Sequence, residues 1–293
     1  MIYITGDMII DEYLYGTTTR ISPEAPVPIV DLQSREKRWG GCGNVWKNVA
    51  SIMPNTRLSC YWDEANKELF YQDETNFWLP KIDKIPLKTR VMSNGRYMSR
   101  IDDEEWITDT QLEDTFHGHW SFEQKKDDHI ILSDYNKGSI KDPQKFINDA
   151  KCRVVVDPKL KLDKYKGAYL LKPNLKEFED YVGKCPTPKE LMAKAQLTRD
   201  HLELQYLIIT LGEDGVLLVG DSLEHYESTV QEVSDVTGAG DVFMAALVLG
   251  LEFQWPVSKA TRVANRLAGL SVSRSGTYII TKQDWKEASE AEQ

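Results

Sequence analysis

The residues from Asp235 to Asp241, reading DVTGAGD, place two glycines and a small alanine just ahead of an acid, and the apolar run Val242 to Leu249 follows at once. Glycines at 238 and 240 let backbone N–H groups converge at a helix start, where the partial positive charge attracts anions. Asp241 then falls on the first helical turn beside an anion site. A carboxylate there can take the proton of a hydroxyl that attacks a phosphoryl group. The same residues also suit an ordinary helix start, with glycine flexibility and an acid favoured by the macrodipole.

Other segments offer partners for that chemistry. Asp7 and Asp11 follow a strand-like amino terminus, and ionised carboxylates are acceptor-only groups that suit vicinal sugar hydroxyls. A pair of solvated turn acids would read the same way. Gly40-Gly41-Cys42-Gly43-Asn44 permits close ligand approach or a hinge, and Asn44 can both donate to and accept from a hydroxylated substrate. Arg90, Arg96 and Arg100 lie on a β-like stretch and suit phosphate through the guanidinium fork, or else pair with the acids at 102–105. Asn174 and Glu177 are three apart at a helix start, on one face. They can hold a magnesium–water shell beside phosphates, or simply cap the helix as a capping box.

The elements that must position these groups repeat in one pattern. Ile2 to Thr5 runs into Gly6-Asp7, and His129 to Leu132 into Ser133-Asp134. Arg153 to Val156 ends in Asp157-Pro158-Lys159, Tyr169 to Leu171 in Lys172-Pro173-Asn174, and Leu207 to Ile209 in Thr210-Leu211-Gly212. Helical segments follow most of these runs. That is the βαβ rhythm of a parallel sheet with its loops on one edge, where ligands of open α/β sheets bind. Helices are predicted after Asn44 through Ile52, over Asp63 to Tyr71, around 109–124, over Val242 to Leu251 and Val257 to Val272, and in the acidic tail from Lys282. Strands are predicted at Leu58 to Trp62 and just after Gly276-Thr277. Between Tyr13 and Leu32, Pro23, Pro26 and Pro28 point to a protruding edge hairpin rather than core.

The chain has 293 residues, 41% hydrophobic and 28% charged, enough for a full globular core. Its 36 basic and 46 acidic residues give a net charge of -10, which argues against a general nucleic-acid or anionic-membrane surface but leaves room for a local basic pocket. No run reaches the ~18 to 20 apolar residues of a membrane span. No signal peptide is visible, so a cytoplasmic location is the expectation. Cys42, Cys60, Cys152 and Cys185 are scattered and read as free thiols. His117 and His119, two apart, would diverge on a helix and make a poor metal pair.

In order and spacing, Gly6-Asp7, Gly40-Gly41 with Asn44, Asn174-x-x-Glu177, Thr210-Leu211-Gly212 and DVTGAGD resemble the ribokinase (PfkB) family of sugar kinases over most of the chain. The stretch from Arg20 to Pro28, Lys88-Thr89-Arg90-Val91, Ser133 to Gly138 and Pro173 to Glu179 resemble, more narrowly, its heptose 7-phosphate kinase branch. That branch is the kinase half of a bifunctional enzyme of ADP-heptose synthesis, and this chain is too short to hold the adenylyltransferase half as well. The resemblance implies one kinase domain: a three-layer α/β/α sandwich with a mostly parallel sheet and a small β-lid, formed by about 12–38 and 87–104, that pairs two subunits. It implies ATP and Mg2+, and phosphorylation of the anomeric hydroxyl of a heptose 7-phosphate. Asp241 would be the base and the amides of Gly238, Ala239 and Gly240 the anion hole. Asp7, Asp11, Gly41 and Asn44 would hold the sugar, with Arg90, Arg100 and Lys137 on its distal phosphate. Asn174 and Glu177 would organise magnesium through water, and Thr210, Gly212 and Gly276 would lie near the nucleotide. Cys42 and Gly43 replace two alanines common in the branch, and Trp46 follows, so the substrate floor is expected to differ. Residues 57–86 are shortened and lack the usual Gly-Asp turn.

Overall fold

A computed structural model of the chain describes residues 1–70, 77–78, 80–108, 124–159, 161–230, 233–274 and 276–292. The helix expected around 109–124, with His117 and His119, lies outside the described residues for all but its last position. The short apolar runs form a nine-stranded sheet. Its strands are β1 (Ile2–Gly6), β4 (Thr56–Ser59), β5 (Phe77–Trp78), β8 (His129–Ser133), β9 (Arg153–Asp157), β10 (Leu170–Leu171), β11 (Tyr206–Thr210), β12 (Val216–Val219) and β13 (Leu223–Tyr226). The order is β13-β12-β11-β10-β9-β8-β1-β4-β5, with parallel pairs throughout except at β11-β12 and β12-β13.

That order sets where a ligand can sit. From β1 the chain builds outward to β4 and β5 on one side and later returns to β8 on the other, so β1 and β8 flank the switch point of the sheet. Their register, Ile2↔His129 through Gly6↔Ser133, brings Gly6-Asp7 against Ser133-Asp134 at the carboxyl edge. Two crossovers leaving in opposite directions open a crevice there. Gly6 is required at this point: φ is +147°, and a Cβ would stand 2.0 Å from the Ser133 carbonyl oxygen.

A second sheet of four strands, ordered β3-β2-β6-β7, is built from β2 (Met8–Ile21), β3 (Pro28–Gly41), β6 (Leu87–Ser93) and β7 (Arg96–Asp103). It is larger than the hairpin the prolines suggested. β2 is an inner strand, paired with β3 on one side and β6 on the other. Pro23 and Pro26 fall in the connecting turn, and Pro28 opens edge strand β3, where a missing N–H is tolerated.

Helix α1 (Cys42–Ile52) follows β3 directly. It packs with α5 (Ala239–Glu252), which packs on α6 (Val257–Val272), and α7 (Lys282–Glu290) packs on both α6 and α1. The other helices are α2 (Pro143–Asp149), α3 (Leu175–Val182) and α4 (Pro188–His201), the last two lying against β11. The residues of α5 from Asp241 to Leu251 are all buried, so core packing fixes the position of its first turn. Two elements differ from expectation. The segment after Asp63 is a 3-10 helix, Glu64–Leu69, and residues 277–281 run as irregular chain into α7 where a strand was predicted. No helix among the described residues is long and apolar enough to cross a membrane.

Candidate active site

Gly238, at φ +78°, turns the chain into α5, and a Cβ there would meet the Asn44 amide nitrogen at 2.7 Å. The Ala239 N–H closes a turn on the Val236 carbonyl at 3.3 Å, and Gly240 and Asp241 contribute N–H groups of the first helical turn, which an α-helix leaves without partners of its own. Asp241 is 3% exposed. Asn44 Nδ2 donates to its Oδ2 at 2.8 Å, and the Tyr135 hydroxyl donates to its Oδ1 at 2.6 Å. Burial pushes its pKa up to about 7. The two hydrogen bonds pull downward, and Asp157 and Asp11 push it further up. A carboxyl poised there suits a general base near neutral pH.

Asn44 therefore orients Asp241, where the sequence suggested a contact to sugar. It is itself held by Asn48, whose Nδ2 donates to the Asn44 carbonyl at 2.9 Å and to its Oδ1 at 3.2 Å. Gly41, with φ +54°, starts α1 and brings the Cys42 N–H to the Asp7 carbonyl at 3.0 Å. Asp7 is placed differently from the expectation of a sugar contact. It has 0% exposure and accepts the backbone N–H groups of Tyr135 (2.8 Å), Lys137 (3.0 Å) and Ser139 (3.0 Å). It braces the loop after β8. Asp11 is the amino-terminal acid that stays with the lid residues: its Oδ1 accepts from Arg90 Nη1 at 2.5 Å, and Gly40 gives its Oδ2 room, since a Cβ there would lie 2.3 Å away.

The three cations expected at the distal phosphate, Arg90, Arg100 and Lys137, are already matched with acids. Arg90 and Arg100 stand opposite each other in the β6–β7 register. Arg100 makes two bonds to Asp102, from Nε at 2.7 Å and Nη2 at 2.8 Å, and Lys137 Nζ pairs with Glu104 just past the end of β7. Arg90 and Arg38 both lie over the Tyr13 ring, at 5.4 and 5.3 Å from its centre.

On the other flank, Asn174 and Glu177 form the reciprocal capping box of α3. The Glu177 N–H donates to Asn174 Oδ1 at 2.9 Å, and the Asn174 N–H to Glu177 Oε2 at 3.0 Å. Lys159 Nζ donates to Glu177 Oε1 at 2.8 Å. The box stands beside Thr210 through a parallel bridge, Asn174↔Thr210. Gly212 has φ +65° and open space around it. Gly276 does not join that group. Its N–H donates to Asp235 Oδ2 at 3.0 Å, and Arg38 fills the space where a Cβ would stand, so it belongs with the DVTGAGD loop and the lid. Among the described residues, no cluster of three or more His, Cys, Asp or Glu side chains is arranged to hold a metal ion.

Three residues at the site escaped sequence reading. Tyr135 lies within Ser133 to Gly138, a stretch whose sequence carries family resemblance but no role for the tyrosine. Lys172, with a side chain 4% exposed, pairs with Asp157 at 3.0 Å and would lie 3.8 Å from a Cβ at Gly240, beside the first turn of α5. A lysine ending an apolar strand was the available signal for it and for its partner Asp157. The expected change in the substrate floor is not where these residues went. Cys42 Sγ lies 3.4 Å from the Gly6 carbonyl, Met8 and Trp39 fill the space over Gly43, and Trp46 is buried against Trp39.

A parallel sheet whose switch point holds a buried acid at a glycine-rich helix start, with a β-sheet beside it, is the architecture of ribokinase-like proteins. Ribokinase from Thermotoga maritima superposes with a TM-score of 0.78 at 20% identity, covering 99% of each chain. Phosphofructokinase-2 from Escherichia coli superposes at 0.81 with 16% identity, covering 100% of this chain and 98% of that one. In sequence, residues 131–284 match the pfkB family carbohydrate kinase profile. The bifunctional protein HldE of Hahella chejuensis is 36% identical over 315 residues, and that of Nitrosococcus oceani 36% over 300. The alignments cover 100% and 98% of this chain but 64% and 63% of those proteins, so the chain spans a little under two thirds of their length. The chain belongs to the pfkB family of carbohydrate kinases.

The acids of the site carry a cost that can be read in pH. Asp134 is buried and pushed up to about 7, chiefly by burial and then by Asp7, against bonds from the Tyr165 hydroxyl and the Asn136 N–H. Its folded pKa is above its unfolded value, so between about 4 and 7 the folded chain binds the extra proton and stability falls as pH rises. Asp134→Asn should flatten the fall between pH 5 and pH 8 by about 3 kcal/mol. Urea unfolding at pH 5 and pH 8 measures it, and an equal loss in both proteins would contradict the assignment.

Proposed function

We propose that this chain transfers the γ-phosphoryl group of ATP to the anomeric hydroxyl of a sugar phosphate, with heptose 7-phosphate as the acceptor. The observation that carries the reading is Asp241: a buried carboxyl on the first turn of α5, with a donor on each oxygen, at the carboxyl edge of the sheet. The hydroxyl proton passes to Asp241, the new O–P bond forms, and the bond to the β-phosphate oxygen breaks with its electron pair leaving on ADP. Backbone N–H groups around Gly238, Ala239, Gly240 and Asp241 face the migrating group at the positive end of the helix, with Lys172 beside them. Family membership and similarity to an HldE protein along the whole of this chain support the reaction class. The motifs around Arg20, Lys88, Ser133 and Pro173 support the narrower acceptor.

Asp11, with Gly41 and Asn44 behind it, forms the sugar side. Arg90, Arg100 and Lys137 take the distal phosphate, which must compete with Asp11, Asp102 and Glu104 for them. Asn174, Glu177, Thr210 and Gly212 line the nucleotide side. Asn174 and Glu177 offer one amide and one carboxylate, each side-chain oxygen already accepting the other residue's backbone N–H, a set that fits the water shell of a magnesium ion arriving with ATP rather than a resident ion. The ion would neutralise charge on the phosphate oxygens.

The lid also suits pairing of two chains. β7 is an edge strand exposed along its length, with Tyr97, Met98 and Ile101 uncovered, and Ile21, Val27 and Leu32 are exposed on β2, the turn and β3. A long exposed apolar edge invites association.

Four outcomes are expected. Asp241→Asn keeps the fold and ATP binding and lowers turnover by at least ~10²-fold; near-normal turnover removes Asp241 from the base role. In a panel of free sugars and sugar 7-, 6- and 1-phosphates followed by ADP release, heptose 7-phosphate is the best acceptor. Arg100→Ala raises its KM about tenfold while leaving that for ATP alone; a free pentose as best acceptor, or equal effects on both KM values, sinks the acceptor assignment. Sedimentation velocity should give twice the chain mass for the parent and a monomer for Ile101→Asp, and a monomeric parent would rule out pairing through the lid.

A further inference from the structure

The loop after β8 holds a hydroxyl against Asp241 that the reaction above does not use. Tyr135 Oη donates to Asp241 Oδ1 at 2.6 Å while Asn44 Nδ2 donates to Oδ2 at 2.8 Å. Each carboxylate oxygen offers two lone-pair directions, so one donor on each fixes the plane of the group and leaves acceptor capacity for an incoming hydroxyl. Burial, the largest cause, and the charges of Asp241 and Asp157 hold the Tyr135 phenol well above its ordinary value, so it remains a donor throughout the working pH range.

Tyr135 is in turn held from behind. Its own N–H and that of Lys137 donate to Asp7 Oδ2, and that of Ser139 to Asp7 Oδ1. Asp134 Oδ1 accepts from the Asn136 N–H at 2.8 Å and its Oδ2 from the Tyr165 hydroxyl at 2.7 Å. Asn136 has φ +56° and Gly138 φ +104°, and a Cβ at Gly138 would stand 2.4 Å from the Ile107 carbonyl oxygen. A loop tied at this many points presents its side chain at one position.

We propose that Tyr135 is a positioning residue for phosphoryl transfer: its hydroxyl fixes the Asp241 carboxylate towards the hydroxyl to be phosphorylated, and Asp7 acts through the same loop. The inference rests on the kinase reading above. The charged and titratable groups around Asp241 are Asp11 on β2, Cys42 on α1, Tyr135 after β8, and Asp157 at the end of β9 with its partner Lys172 after β10. Of these, Tyr135 is the one that donates directly to the carboxylate, joined by neutral Asn44.

The test is the pH profile of kcat/KM, whose acid limb reports the base of the free enzyme. Removing a hydrogen bond to the ionised form raises the pKa of the base, so Tyr135→Phe moves the acid limb up by about one pH unit and leaves the KM for ATP unchanged. Placing 3-fluorotyrosine at 135 keeps the hydroxyl and makes it a stronger donor, so the limb moves to lower pH. If Tyr135→Phe does not fold, the fluorotyrosine protein decides alone. An acid limb that stays in place in the folded variants, or that moves the same way in both, overturns the proposal. Loss of activity in Asp241→Asn together with an unmoved limb rejects Tyr135 and spares the kinase reading, whereas turnover independent of Asp241 rejects both.

Discussion

A carboxylate with no exposed surface must draw its hydrogen bonds from the protein. At the end of β1 that requirement organises the site. Asp7 can be satisfied only if the chain leaving β8 wraps around it, and the three amides that do so belong to residues 135, 137 and 139. β1 and β8 are adjacent because the strand order reverses between them, so the same topology that opens the crevice supplies the loop that lines it. Burial pushes the pKa of Asp7 up and the three amide bonds pull against it, so the brace holds only while the loop stays closed. Tyr135 stands on that loop, and through it a strand-end acid reaches a helix start more than two hundred residues away in sequence.

Most of this frame was legible in the sequence, because the signals were local. Each short apolar run ending in Gly, Pro or a polar residue became a strand with its loop at the carboxyl edge, and DVTGAGD became the start of α5. What was hidden depends on which loop closes on which. Asp7 and Asp11, four residues apart, look alike in sequence, yet one faces a neighbouring loop and the other an arginine on β6. Nothing local to Asn44 shows that α1 packs beside α5 and so brings its amide to Asp241. The capping reading of Asn174 and Glu177 describes their bonds in the structure, since that pairing is made within four residues. Gly43 has a packing reason: Met8 and Trp39 occupy the space that a larger residue there would need.

The lid shows a second kind of constraint. Its prolines correctly marked the turn and an edge strand, but could not tell that β2 would be covered on both sides. Once β2 is internal, Asp11 and Tyr13 face Arg38 and Arg90 across neighbouring strands, and each cation finds an acid or a ring before any ligand arrives. Such pairing keeps the lid intact at a net charge of -10, and it means an incoming phosphate exchanges partners rather than meeting bare charge.

Asp7, Asp11, Asp134, Asp157 and Asp241 crowd one edge of the sheet, and among the described residues Arg90 on Asp11 and Lys172 on Asp157 give only two of the five a cation in contact. The others are held by amides and hydroxyls, which satisfy their oxygens without cancelling their charge. Burial, reinforced by the residual repulsion, lifts Asp134 and Asp241 to about 7, and at Asp241 that lift is useful: a carboxyl at its ordinary value of 3.8 would be a poor acceptor for a hydroxyl proton. Stability is given up at neutral pH so that one acid in the cluster becomes a competent base. The amide brace at Asp7 and the two donors at Asp241 keep that exchange from going further, because each of these bonds pulls the pKa back down against burial.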